Sequence, residues 1–185
     1  VNKPAPHFSV DQDFKARFTT AEFLRMGAAG AFEDMKIELV NGELERMSPA
    51  MSAHGGSHAK LIYRLVPLVP EALMQIDVSI DLSGDTVRAP DAVVLRSAVE
   101  GDRLLQPGDV LLAVEISETT LARDMGAKRI DYARAGIPHY WVVDIERRVV
   151  HIFAEPVAAD YADVKSVRFG EPLAVPGTDR TIILD

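Results

Sequence analysis

The stretch VLLAVEIS, residues 110–117, constrains the fold more than any other. It is short, rich in Val, Leu and Ile, and reads as a strand buried on both faces rather than as a helix. One carboxylate, Glu115, sits inside it. A charged group in such a place has lost much of its hydration, which is costly unless a cation or strong hydrogen bonds compensate. Either an internal basic side chain or a bound metal ion could supply that charge.

The flanking segments build a mixed sheet around this central strand. Thr19 and Glu22 have capping-box spacing and predict a short helix from TTAEFLRMG. KIELVNGELERMS reads as a hairpin around Asn41-Gly42, with Ile37, Leu39, Leu44 and Met47 as its apolar contributors. SPAMSAHGGSHAKLIYRLVPLV starts as a loop and becomes a helix carrying Leu61, Ile62, Leu65, Val66 and Val69, which Pro67 kinks or ends. LMQIDVSIDL and TVRAPDAVVL are strands, and residues 97–109 form a loop. TTLARDMGAKRIDYARAG is a helix stopped by Gly136 and Pro138. HYWVVDIERRVVHIFAE gives two more strands, and VKSVRFG and RTIILD carry weaker strand signals. Residues 1–18 read as an arm and 19–185 as one α/β domain.

Bulk properties narrow the function. The chain has 185 residues, enough for one domain with a substantial core. No apolar run approaches the roughly 18 residues of a membrane span, and the start lacks the apolar stretch of a signal peptide. With no cysteine there is no disulfide or thiolate-metal site, and a cytoplasmic home is expected. The formal net charge of −8 counts against holding nucleic acid by charge alone, but excludes neither a local basic surface nor a site that collects divalent cations. No phosphate-cradling glycine loop is present, so no nucleotide cofactor is expected.

Asp91 follows a proline where its strand begins, and Glu115 lies in the next strand. If those strands are neighbours, the two carboxylates converge at one edge of the sheet and suit Mg²⁺ or Mn²⁺. Otherwise Asp91 is a turn residue and Glu115 has an arginine partner. Asp124 and Lys128 are four apart on the following helix. They read either as an exposed i,i+4 pair or as a lysine aimed at the carboxylates, where it could orient water and stabilise negative charge. Glu38, between Ile37 and Leu39, is either exposed by strand alternation or a third acidic contact to metal. His54 and His58 are also four apart; one of them touching substrate is more plausible than a two-histidine zinc site. Trp141 reads as core. Lys60, Arg64, Arg123, Arg129 and Arg134 are either scattered charges or a patch flanking the acidic centre.

Taken together, IELVNGELERMSP, a following histidine, APDAVVL, LAVEIS and RDMGAKRIDYARAGIPHYWVVD resemble the Uma-type restriction endonuclease family of the PD-(D/E)XK nuclease superfamily. The resemblance runs from about Thr19 to the C-terminus. It implies a restriction-endonuclease-like core, a central mixed β-sheet flanked by α-helices, with the acidic site at one edge. It places the PD aspartate on Asp91 and the second acidic residue on Glu115. The superfamily lysine would fall on Ser117, a departure, and Lys128 on the next helix takes its place. The early glutamate falls on Glu38, and the histidine on His54 or His58. The implied activity is Mg²⁺-dependent hydrolysis of DNA phosphodiesters; for a duplex substrate a homodimer is expected, because two cuts on antiparallel strands suit two-fold symmetry. The alternative is a catalytically inactive DNA-binding or protein-interaction module on the same fold.

Overall fold

A computed structural model describes residues 15–47 and 52–185. Most of the expected arm lies outside the described residues. Its last part runs along the first hairpin, where the Arg17 guanidinium and the Phe18 N–H donate to the carbonyls of Asn41 and Gly42.

The elements follow in chain order. Helix α1 (Thr20–Ala28) begins at Thr19 with the expected capping box. Strands β1 (Ile37–Val40) and β2 (Glu43–Arg46) form the hairpin. Asn41 (φ 49°) and Gly42 (φ 78°) both take the left-handed backbone of a type I′ turn. Helix α2 (Ser52–Leu65) starts earlier than its apolar periodicity implies and runs through Gly55-Gly56. Then come β3 (Met74–Ile76), β4 (Ile80–Asp81), β5 (Val87–Arg88), β6 (Ala92–Leu95) and the central β7 (Val110–Ser117). The next helical stretch has three parts: α3 (Leu121–Arg123), a wide π-helical turn (Asp124–Lys128) and α4 (Arg129–Arg134). β8 (His139–Asp144), β9 (Val149–Val157) and β10 (Asp160–Arg168) form a meander, and β11 (Leu173–Ala174) with β12 (Thr181–Ile182) closes the chain.

Six strands make the main sheet in the order β10-β9-β8-β7-β6-β3, with β7 antiparallel to β6 and parallel to β8. The mixed sheet is the expected one. Alternation along β7 sends Leu112, Val114 and Ile116 into a core with Trp141 and the α2 residues Leu61 and Leu65. Ala113 points the other way, toward Tyr132, Ala133 and Tyr140 beneath α4. Burial on both faces is why the strand reads as an uninterrupted apolar run.

The two strands expected from LMQIDVSIDL and TVRAPDAVVL are each broken. Their outer halves, β4 and β5, leave the main sheet and join the hairpin in a second sheet, β2-β1-β5-β4. The break between β5 and β6 contains Pro90, which supplies no N–H to a ladder. This bend brings β1 over the helical side of β7. Leu44, expected in the core, is exposed on β2, and Val66 is exposed at the end of α2. No helix among the described residues is long and apolar enough to cross a membrane.

Candidate active site

Glu115 and Ser117 share the face of β7 that meets the π-helical turn. The Lys128 ammonium lies 2.8 Å from Glu115 Oε1, and the Tyr132 hydroxyl donates to the same oxygen at 2.9 Å. The cation opposite Glu115 is therefore an internal lysine, not the arginine considered as one alternative. Burial pushes the Glu115 carboxyl up to about 8; Asp91, Asp124 and Glu38 add to that, and Lys128 opposes it. Burial works against the charge on Lys128 too, but Glu115 and Glu38 outweigh it and raise its pKa. Burial and the neighbouring Glu115 likewise push the Tyr132 hydroxyl up, so it remains a donor.

Behind this pair sits a second charged layer. Glu38 is buried, not exposed, because its face of β1 is covered by Arg88 and Lys128. Glu38 Oε2 accepts from Arg88 at 2.9 Å. Its Oε1 accepts from the Ala89 N–H at 2.9 Å and lies 3.2 Å from Lys128. Burial would raise this carboxyl, yet Lys128 and Arg88 hold it below the usual carboxylate range. Arg88 is only 1% exposed and also grips Asp131 of α4 through two N–H groups, at 3.0 and 2.7 Å. Its charge is doubly compensated, and its pKa is raised despite burial.

Asp91 stands at the bend before β6. The register pairs Ala92 with Val114; one step further puts Asp91 opposite Glu115, where side chains share a face. The Ile116 N–H donates to Asp91 Oδ2 at 2.6 Å. Asp91 and Glu115 both line a cleft of about 620 Å³, together with His58, Lys36, Arg46 and Arg123. Neither Lys128 nor Glu38 is among the described residues lining it. Among the described residues of the cleft wall, six carboxylates outnumber three lysine and arginine side chains.

The remaining candidates divide. Ser117 and Asp124 bond to each other at 2.6 Å, and Thr120 also donates to Asp124. Asp124 and Lys128 are thus both buried, each turned to β7, and the exposed-pair reading does not hold. The Asp124 carbonyl in the wide turn accepts from the Tyr140 hydroxyl at 2.9 Å. Wide turns of this type recur at functional sites. His58 reaches the cleft wall; the His54 side chain lies outside the described residues. The possible basic patch is dispersed: Lys60 and Arg64 reach Asp185, Arg129 pairs with Asp160, and Arg123 lines the cleft. Trp141 is core, as expected.

Sequence reasoning missed Arg88, Tyr132 and Asp131. Arg88 left a trace, being a lone cation in a short strand segment just ahead of Pro90-Asp91. Tyr132 left a trace only in its spacing four after Lys128.

The donor set can be tested against a divalent ion. Glu115 Oε1 is taken, but among the described residues no hydrogen bond or ion pair engages Oε2. Asp91 adds a second carboxylate on the same cleft, close enough to disfavour charge on Glu115. Among the described residues no three His, Asp or Glu side chains form a ready metal cage. One or two carboxylates, completed by water and phosphate, is the pattern of Mg²⁺ sites. The pair fits such an ion. Glu38, with both oxygens committed to cations and a backbone N–H, does not join it.

The fold is thus a mixed α/β core in which neighbouring strands β6 and β7 bring two carboxylates to one cleft. Residues 20–183 match the Uma2 family, described as "Putative restriction endonuclease", and the chain belongs to that family. No curated protein matches the chain. Among solved structures it is similar to one described as "a putative nuclease belonging to DUF820" from Anabaena variabilis ATCC 29413. That likeness has a TM-score of 0.65 at 16% identity and covers 86% of this chain and 89% of the other, so it bears on the fold.

Proposed function

We propose that the chain is a Mg²⁺- or Mn²⁺-dependent nuclease that hydrolyses DNA phosphodiester bonds in the cytoplasm, working as a homodimer. The observation that carries this reading is the pair Asp91 and Glu115, two carboxyl groups held side by side on neighbouring strands and lining one acid-rich cleft. Both carboxylates would hold the ion, and Glu115 would offer the oxygen that Lys128 and Tyr132 leave over. The ion, when bound, supplies Lewis acidity toward phosphate and water and offsets developing negative charge. Lys128 favours the ionised form of Glu115 and fixes its orientation, and Glu38 holds Lys128 from behind. Among the described residues, Arg46, Arg123 and Lys36, the last now bonded to Asp77, are the cleft cations that would meet the substrate backbone. His58 stands at the same wall, where it could contact a phosphate.

The test is a calorimetric Mn²⁺ titration with Asp91→Ala as control, followed by plasmid cleavage with and without a chelator. Saturable binding lost in the variant, and cleavage lost with the chelator, are expected. Metal binding that survives the substitution would refute the site, and cleavage indifferent to the chelator would refute the mechanism.

The enclosure of Lys128 favours a second reading. Its ammonium is committed to two carboxylates and does not face the cleft, as suits a nuclease-fold module that binds without cutting. In that case Asp91→Ala and Lys128→Ala leave partner affinity unchanged.

A further inference from the structure

The main sheet ends in a long, open strand. β10 has nine residues and, among the described residues, pairs only with β9. Open edges of this length are normally blunted, by proline, by short length or by charge that repels a second strand. The charges of β10 are arranged differently. In DYADVKSVR the acids Asp160 and Asp163 precede Val164, and the bases Lys165 and Arg168 follow it at mirrored distances. Val164 itself is 55% exposed.

We propose that a second copy of this chain docks on this edge, the two β10 strands pairing antiparallel about a two-fold axis at Val164. In that register Asp163 faces Lys165 of the second copy, Asp160 faces Arg168, and the two Val164 side chains meet. Opposite charges directly across an antiparallel pair attract, and like charges repel. The register is also selected. A shift of the axis by one residue sets Asp163 against Asp163, or Lys165 against Lys165. A guarding edge carries one sign of charge; a mirrored pattern excludes wrong registers and admits the right one.

Backbone geometry permits the pairing. Residues two apart on a strand present their N–H and C=O groups to the same side. Asp163 and Lys165 therefore match each other, and Val164 matches itself, whichever set points outward. The present partners of these charges are replaceable. Lys165 bonds Asp163 within the strand at 2.7 Å at the surface, and the exposed Asp160 lies 3.3 Å from the half-buried Arg129. Exposed pairs of this kind hold little energy.

The proposal locates an interface for the homodimer and does not depend on the nuclease reading, because its test reads mass rather than activity. Sedimentation is measured for the full chain, for Lys165→Asp, for Asp163→Lys and for an equimolar mixture of the two variants. Each variant alone places like charges across the axis, whereas the mixture restores opposite ones. The expected result is a dimer for the native chain, half that mass for each variant alone, and a dimer again for the mixture. Recovery in the mixture also establishes that both variants are folded. A monomeric native chain, single variants that stay dimeric, or a mixture that stays monomeric would each overturn it.

Discussion

The two layers of the acidic cluster use the same residue type for opposite purposes. In the rear layer Glu38 is enclosed, and each of its oxygens has a cation within 3.2 Å. In the front layer Glu115 shares one oxygen with Lys128 and Tyr132 and, with Asp91, borders the cleft. The rear carboxylate is held below its usual range and the front one is pushed to about 8. The rear layer is satisfied internally and holds the structure. The front layer is short of positive charge, and an external cation would supply it. Substitutions that separate stability from metal binding test this division.

The largest effect is expected from Glu38→Ala. It removes one of the carboxylates that compensate Arg88, which keeps Asp131, and one of two partners from Lys128, both wholly buried. Breaking a buried pair by deleting one member costs about 3–5 kcal/mol. Urea unfolding should show a loss of that size; a loss under about 1 kcal/mol, the range of an exposed pair, would mean that the rear layer is not a structural unit.

Asp91→Asn should do the reverse. The amide keeps an oxygen for the Ile116 N–H and removes the like charge beside Glu115, so unfolding stability should hold or rise. Mn²⁺ binding should disappear, and cleavage should fall by about 10²–10³, the range for losing one electrostatic contact in an active site. A destabilised variant that still binds metal would invert the comparison.

The front layer was largely legible in the sequence and the rear layer was not. Asp91 and Glu115 fall in short apolar strand segments, and neighbouring strands bring them together through one local register. Glu38 depended on what covers its face. Alternation assigns a side chain to one side of a strand, but the cover comes from Arg88, fifty residues later in the chain. That contact exists because two strands break and change sheets at Pro90 and near Asp77, and periodicity does not report such a change. The π-helical turn was hidden for a related reason. Asp124 and Lys128 are four apart in either kind of helix, and only packing against β7 distinguishes a wide turn from a regular one. The early start of α2 was obscured by Gly55-Gly56, poor helix formers that nonetheless lie within it.

Lys128→Met sharpens the boundary between the layers. The substitution keeps length and apolar stem and removes the charge. Glu115 then loses the group that favours its ionised form, and Glu38 keeps Arg88. Metal must displace a proton more firmly held on Glu115. Apparent Mn²⁺ affinity should fall by about 10- to 100-fold, the effect of losing a group that orients a metal ligand. Calorimetry at constant pH measures this; unchanged affinity would place Lys128 wholly in the structural layer.

The smallest effect is expected from Tyr132→Phe. The hydroxyl is one of two donors to Glu115 Oε1, and the ring, packed 4.9 Å from Tyr140 between centroids, remains in place. Deleting one hydrogen bond costs about 0.5–1.5 kcal/mol, and more where the acceptor is charged. If Glu115 is ionised in the resting protein, the loss should lie above that range, and Mn²⁺ affinity should fall only a few-fold. If Glu115 is instead protonated there, the variant should unfold within the lower range, and its metal affinity should match the native chain. This substitution therefore reports which charge state the front layer holds before an ion arrives, a distinction that deletion of Lys128 cannot make because it changes that state itself.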